Sequence, residues 1–179
     1  MSFQTVANLP SSVPCRVRCA LALNIARKVS VLVSSEFAAA LDGFASLAWE
    51  WVEADLPRLK QFYEAFDKLH VVFTELDEGE EPNGQAAFLG ACCVLWEVYN
   101  EAWQLKRVTS SELPGEVCEG DAALWVEFAE ALNAVEESLP AGLARAVERT
   151  SIAMAGAPDN RETRPSRSDI EAAFERAMT

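Results

Sequence analysis

The stretch from Gln85 to Lys106 constrains this chain more than any other. Phe88, Leu89, Cys92, Cys93, Val94, Leu95, Trp96, Val98, Tyr99 and Trp103 all fall inside it. Wound into a helix, these residues leave almost no polar face. Such a helix is central in its domain, because every side of it needs cover. The rest of the chain must supply amphipathic partners.

Those partners are visible as helical spacing. Val17, Ala20, Leu21, Ile25, Val29, Leu32 and Val33 recur at steps of mostly three or four after Ser11, Ser12, Val13 and Pro14, which read as a helix start. Val29, Val31 and Val33 alternate as a strand would, but nothing nearby offers a β partner. Ser34 or Ser35 caps a second helix through Leu41, Phe44, Leu47, Ala48 and Trp51. Asp55 and Pro57 open a third, with Leu59, Phe62, Tyr63, Phe66, Leu69, Val72, Phe73 and Leu76 on one face. Residues 77–84 are acidic and hold Pro82 and two glycines, so they read as a loop before the central helix. Asp121 caps a helix through Leu124, Trp125, Phe128 and Leu132. Pro140 opens another, carrying Leu143, Val147 and Ile152 inward. Ser168 and Glu171 have the spacing of a capping box for a last short helix. The first ten residues read as a loose lead-in. The expectation is an all-α, single-domain bundle of about six to seven helices. Residues 1–155 form the bundle, 156–167 a polar linker, and 168–179 a short C-terminal helix.

Charge narrows the partners. The 179-residue chain carries a net charge of −13. Residues 36–144 hold 22 acids against five bases, whereas residues 1–35 hold four bases and no acid. Such a surface repels phosphate backbones and anionic lipid. Nucleic acid and bare membrane are excluded as partners by this reading, and a basic protein is favoured. An acidic face also serves solubility alone. The sharper reading is an electrostatic docking surface that speeds encounter with a cationic partner. The N-terminus lacks a basic segment leading into an apolar run, and the apolar stretch of residues 19–33 is broken by Arg27 and Lys28. We therefore expect no signal peptide and no membrane span. The five cysteines show no secretory disulfide framework, which points to a reducing cytosol. Cys15, Cys19, Cys92 and Cys93 sit in apolar helical stretches and read as small buried hydrophobes.

Catalytic signatures are missing from the pattern. The single histidine, His70, lies between Leu69 and Val71 and reads as a structural helix residue, with Asp67 one turn earlier. A zinc site needs three or four suitably spaced ligands, which Cys15 with Cys19 and Cys92 with Cys93 do not supply. No Gly-rich phosphate loop is present. Glu127 and Glu130 share a helix face, and Glu136 and Glu137 are adjacent, but these read as solvated carboxylates. We expect no catalytic residue, cofactor or metal.

The five tryptophans carry more information. Trp49 and Trp51 are two apart and point to different sides of their helix, so one narrow core stripe does not accommodate both. Trp96 and Trp103 share a face and read as core. Core packing is the default for each of Trp49, Trp51 and Trp125, and partial exposure of one of them is the alternative. An exposed Trp rimmed by acids such as Glu50 and Glu53 has the makings of a binding hot spot.

Two stretches carry a resemblance. Cys19-Ala-Leu-Ala-Leu-Asn-Ile-Ala-Arg-Lys-Val29 leads to Ala48-Trp49-Glu50-Trp51-Val52-Glu53, and an acidic loop and a second Ala/Trp-rich helix follow. Over about residues 15–105 this arrangement resembles small all-helical immunity proteins of bacterial toxin systems. The match is compositional rather than a strict motif, and the C-terminal helix lies outside it. The resemblance implies a cytosolic protein that binds a cognate toxin domain and blocks it.

The functional expectation is therefore an immunity or inhibitor protein acting through acidic segments. The candidate contact residues are Glu50, Trp51 and Glu53; Glu75, Asp77, Glu78, Glu80 and Glu81; and Glu112, Glu116, Glu119 and Asp121. The alternatives are a secretion chaperone or adaptor that holds an apolar client segment, and an enzyme with a scattered carboxylate site.

Overall fold

In the computed structural model the described residues are 3–53, 58–115, 117, 123–156 and 166–179. Among them the chain forms eight α-helices and no strand. In order these are α1 (Gln4–Ser12), α2 (Cys15–Ser30), α3 (Ser35–Glu53), α4 (Leu59–Thr74), α5 (Glu81–Gln104), α6 (Ala123–Ala134), α7 (Leu143–Met154) and α8 (Arg167–Met178). Single 3-10 turns lie at Ser110–Glu112 and Glu136–Ser138. The all-α reading holds, and the helix count is higher than the six to seven expected.

The additional helix is α1. Phe3, Val6, Leu9 and Val13 recur at three and four, and all four are buried. They face α6 and α7, so packing organises a segment whose Pro10 and serines argue for a turn. Pro10 lacks the N–H that would bond the Val6 carbonyl, and the helix ends two residues later at Ser12. Ser11 and Ser12 thus end α1 rather than start α2, and Pro14 is the residue just before α2. The far end of α2 stops at Ser30, and Val31 and Leu32 turn out into solvent.

The central helix is α5, as its composition requires. It packs against α2, α3, α4 and α6. It begins earlier than expected, at Glu81, with Pro82 in its first turn. Pro fits there because the first turn needs no N–H donor, and Glu81 favours the positive helix end. The α2–α5 crossing is closest at Gly90. A Cβ at that position would meet Phe128 Cζ at 3.0 Å, Ala26 Cβ at 3.2 Å and the Ala22 carbonyl at 3.4 Å. Only the missing side chain lets α2, α5 and α6 approach so closely.

α3 and α4 cover another side of α5 through an aromatic seam. Phe44 meets Phe62 at 4.9 Å and Phe66 at 5.8 Å. Phe66, His70 and Phe73 stack on Phe88 of α5 at 5.4, 5.3 and 4.5 Å. His70 is a half-buried member of this seam, as a structural histidine.

The last helix docks on the bundle through Ile170, Phe174 and Ala177, against α2, α3 and α7. Its capping box is Ser166 with Asp169, two residues earlier than Ser168 with Glu171. The Ser166 hydroxyl accepts from the Asp169 amide at 3.2 Å, and Asp169 accepts from the Ser166 amide at 3.3 Å. Ion pairs from Arg27 to Glu171 and from Lys28 to Glu175 tie this helix to α2. Ile152, expected inward on α7, is 69% exposed. Ser34 caps α3, accepting from the Phe37 amide at 3.2 Å. The caps expected at Asp55 and Asp121, and most of the linker, lie outside the described residues.

Candidate functional site

The acidic candidates divide between two places. Glu75 follows α4, and Asp77, Glu78 and Glu80 form the turn into Glu81, the first residue of α5. All five are on the surface, Glu80 partly covered. Among the described residues none of the five forms an ion pair. Ser138 donates to Asn83 Oδ1 at 2.9 Å, which brings the turn carrying Glu136 and Glu137 beside the start of α5. Seven carboxylates therefore gather at one end of the central helix. Val31, Leu32 and Val71 are exposed apolar residues of α4 and of the α2–α3 turn.

Glu50 and Glu53 lie elsewhere. They are on the last turns of α3, whose Trp51 contacts Glu101 near the other end of α5. A 24-residue helix is about 36 Å long, so these acids and the Glu75–Glu81 group do not form one face. Glu53 also accepts from the Arg167 amide at 2.9 Å, which ties it to α8. Glu112 is exposed but engaged locally, accepting from the Thr109 hydroxyl and amide at 2.7 Å each. Those bonds hold its carboxyl below its ordinary pKa. Glu116, Glu119 and Asp121 lie outside the described residues.

Trp51 is not at the surface, and neither are Trp49 and Trp125; all three are 0–2% exposed. The two-residue spacing sends Trp49 and Trp51 to opposite sides of α3, but both sides are covered. Trp49 lies under α8, with the Arg167 guanidinium 5.1 Å from its ring. Trp51 faces α2 and α5, with Arg16 at 4.7 Å over its ring and its Nε1 donating to Glu101. The exposed tryptophan is Trp103, at 47%, where α5 ends. Leu105 beside it is 56% exposed, and Lys106 takes the left-handed φ of 55° that turns the chain away.

A buried polar cluster joins α2 to α5, and the sequence reading did not single it out. Arg18 Nε lies 2.6 Å from Glu97 Oε1, and Glu97 is 2% exposed. Cys15 donates to Glu97 Oε2 at 3.2 Å. Arg16 pairs with both oxygens of Glu101, at 2.9 and 3.1 Å. Burial in this region pushes the Cys19 thiol well above its ordinary range. The signal was present in the sequence. Glu97 and Glu101 are four apart in an otherwise apolar helix, and Arg16 and Arg18 stand in a segment with no acid of its own.

A cleft of about 380 Å³ between α2, α3 and α8 is lined by Asn24, Arg27, Lys28, Asp42, Glu171 and Glu175. Its cations are paired with its carboxylates, so it offers an incoming ion no uncompensated charge. Among the described residues no group of three or more His, Cys, Asp or Glu is placed to hold a metal ion. No helix among them is long and apolar enough to cross a membrane. Comparison with protein-family models, with curated proteins and with solved structures gives no match.

Proposed function

We propose that this chain is an immunity or inhibitor protein that neutralises a toxin domain by direct contact through an acidic surface. The observation that carries the reading is the acidic end of α5. Glu75, Asp77, Glu78, Glu80 and Glu81 are surface carboxylates with no described cation to pair with. Glu136 and Glu137 are held next to them by the Ser138–Asn83 bond. Like charges held together raise the free energy of the unbound protein, and a cationic partner relieves that repulsion while speeding encounter. The resemblance of residues 15–105 to helical immunity proteins supplies the class of partner.

The geometry refines the contact set. Glu50, Glu53 and Glu112 are away from this end or engaged locally, and Trp51 is buried. The partner surface we assign is the Glu75–Glu81 turn with Glu136 and Glu137.

The test begins with recovery of the partner from the native host on the tagged protein. A basic, toxin-like protein released by raised salt is the expected capture. The triple variant Glu78→Lys/Glu80→Lys/Glu81→Lys should then slow association by roughly tenfold or more and flatten its salt dependence. An unchanged on-rate would remove the acidic turn from the interface. A salt-insensitive client held on an apolar surface would favour the chaperone reading instead.

A further inference from the structure

The last helix lies in a groove whose chemistry it matches only in part. α8 packs on α2, α3 and α7. Its buried residues, Ile170, Phe174 and Ala177, are spaced at four and three, which is one stripe of a helix. Its edge is ionic. Lys28 Nζ lies 2.6 Å from Glu175 Oε1, and Arg27 Nη1 lies 3.4 Å from Glu171 Oε1. At the start of the helix the Arg167 guanidinium is 5.1 Å from the Trp49 ring, and the Arg167 amide donates to Glu53 Oε1 at 2.9 Å. An apolar stripe edged with acids thus meets a groove rimmed with cations.

Three features loosen this hold. The four side chains of the Arg27–Glu171 and Lys28–Glu175 pairs are between 31% and 58% exposed, so water screens both pairs. The cleft of about 380 Å³ lies along the same contact, so α2, α3 and α8 do not close on one another there. Trp49 Nε1 in α3 and Thr150 Oγ1 in α7 are buried with no hydrogen-bond partner among the described residues. A buried donor without an acceptor destabilises the state that buries it, and the side chains that α8 buries offer no acceptor. A twelve-residue helix is also marginal in isolation, so α8 keeps its shape through docking.

We propose that the groove between α2, α3 and α7 is a binding site for an amphipathic helix of a partner protein, and that α8 occupies it in cis until that helix displaces it. The chemistry of α8 defines the ligand. It carries apolar side chains at i, i+4 and i+7, and acids at i+1 and i+5 that meet Arg27 and Lys28. An acceptor placed against Trp49 or Thr150 gives the incoming helix a bond that α8 lacks. That difference lets it compete with a tethered segment of high effective concentration. The site uses none of the Glu75–Glu81 carboxylates, so it is independent of the acidic-surface reading.

The test uses the full-length protein and a fluorescein-labelled peptide of residues 166–179 as the helix in trans. Phe174→Asp puts a charge in the stripe of the tethered α8. The peptide should bind this variant saturably and at least tenfold more tightly than wild type, whose own α8 competes. Adding Lys28→Glu should weaken binding by roughly threefold, and Glu175→Lys in the peptide should restore it. No binding to a folded Phe174→Asp protein, or binding indifferent to this charge exchange, would overturn the proposal. A wild-type dimer that becomes monomeric in Phe174→Asp would make the occupant the α8 of a second copy and overturn the partner reading. Native-state hydrogen exchange of wild type decides the matter even if Phe174→Asp does not fold. Amides of residues 170–178 should exchange at least tenfold faster than those of residues 90–98 in α5. Equal protection would mean that α8 opens only with the whole bundle, which also overturns the proposal.

Discussion

Arg18 Nε sits 2.6 Å from Glu97 Oε1, and the carboxylate is almost wholly removed from water. A pair at that depth has lost most of its hydration, so each partner depends on the other. Glu97→Ala leaves the Arg18 guanidinium without its counter-charge and should cost about 3–5 kcal/mol. The double variant Arg18→Met/Glu97→Met removes both charges and should regain most of that loss. Urea midpoints of the three proteins measure this. A Glu97→Ala protein within about 1 kcal/mol of wild type would mean that water reaches Arg18.

Gly90→Ala should destabilise the bundle by about 1 kcal/mol net. Replacing a helical glycine with alanine ordinarily gains up to about 1 kcal/mol in the helix itself. Here the new methyl meets Phe128 Cζ at 3.0 Å, Ala26 Cβ at 3.2 Å and the Ala22 carbonyl at 3.4 Å. Overpacking of this kind costs about 1–3 kcal/mol. Two of the three neighbours are backbone or backbone-bound, so they move only with α2. A variant more stable than wild type would show that α2 and Phe128 shift outward freely.

Much of this architecture is legible because it follows from spacing. The apolar run around Trp96 demands a central helix, and α5 is that helix, flanked by α2, α3, α4 and α6. The stripe from Phe62 to Leu76 predicts the face that meets Phe44 and Phe88. What spacing does not convey is which neighbour covers the second side of a helix. The two-residue spacing puts Trp49 and Trp51 on different sides of α3, but only tertiary packing reveals that α8 covers one and α5 the other. The same limit hid Trp103, which shares a face with the half-buried Trp96 but is 47% exposed near the end of α5. α1 was missed because Pro10 and two serines outweigh a four-residue apolar stripe until that stripe finds a surface. The acidic turn was legible as charge. Its proximity to Glu136 and Glu137 was not, since the Ser138–Asn83 bond joins segments far apart in sequence.

The tryptophans should separate cleanly in solution. Trp103 is 47% exposed and Trp96 is half-buried, whereas Trp49, Trp51 and Trp125 are 0–2% exposed. Iodide should therefore quench a fraction of the native fluorescence that disappears in Trp103→Phe. Trp103→Ala should change stability by less than about 1 kcal/mol, since little area is lost from the core. Trp51→Ala or Trp125→Ala should cost about 3–5 kcal/mol. Equal losses for Trp103 and Trp51 would mean that the end of α5 is covered in solution.

Alkaline titration tests the burial of the Tyr99 phenol. Tyr99 is 4% exposed, and burial raises its pKa to about 12. The folded state thus holds the phenolic proton more tightly than the unfolded chain, whose tyrosine titrates near 10. The resulting stabilisation is complete below about pH 10 and is lost as pH rises from there towards 12. The buried Cys19 and Cys93 thiols are raised in the same sense, so the decline begins earlier, above the unfolded thiol pKa of about 8.5. Tyr99→Phe separates the two contributions. It should lower stability at pH 7 by about 1 kcal/mol, because the hydroxyl no longer donates to the Leu59 carbonyl. Between pH 10 and 12 its stability should fall less steeply than that of wild type. Urea unfolding at pH 7, 9, 10 and 11 gives both slopes. Parallel decline of the two proteins above pH 10 would mean that the phenol is hydrated at the junction of α4 and α5, and that the buried thiols alone set the alkaline limit.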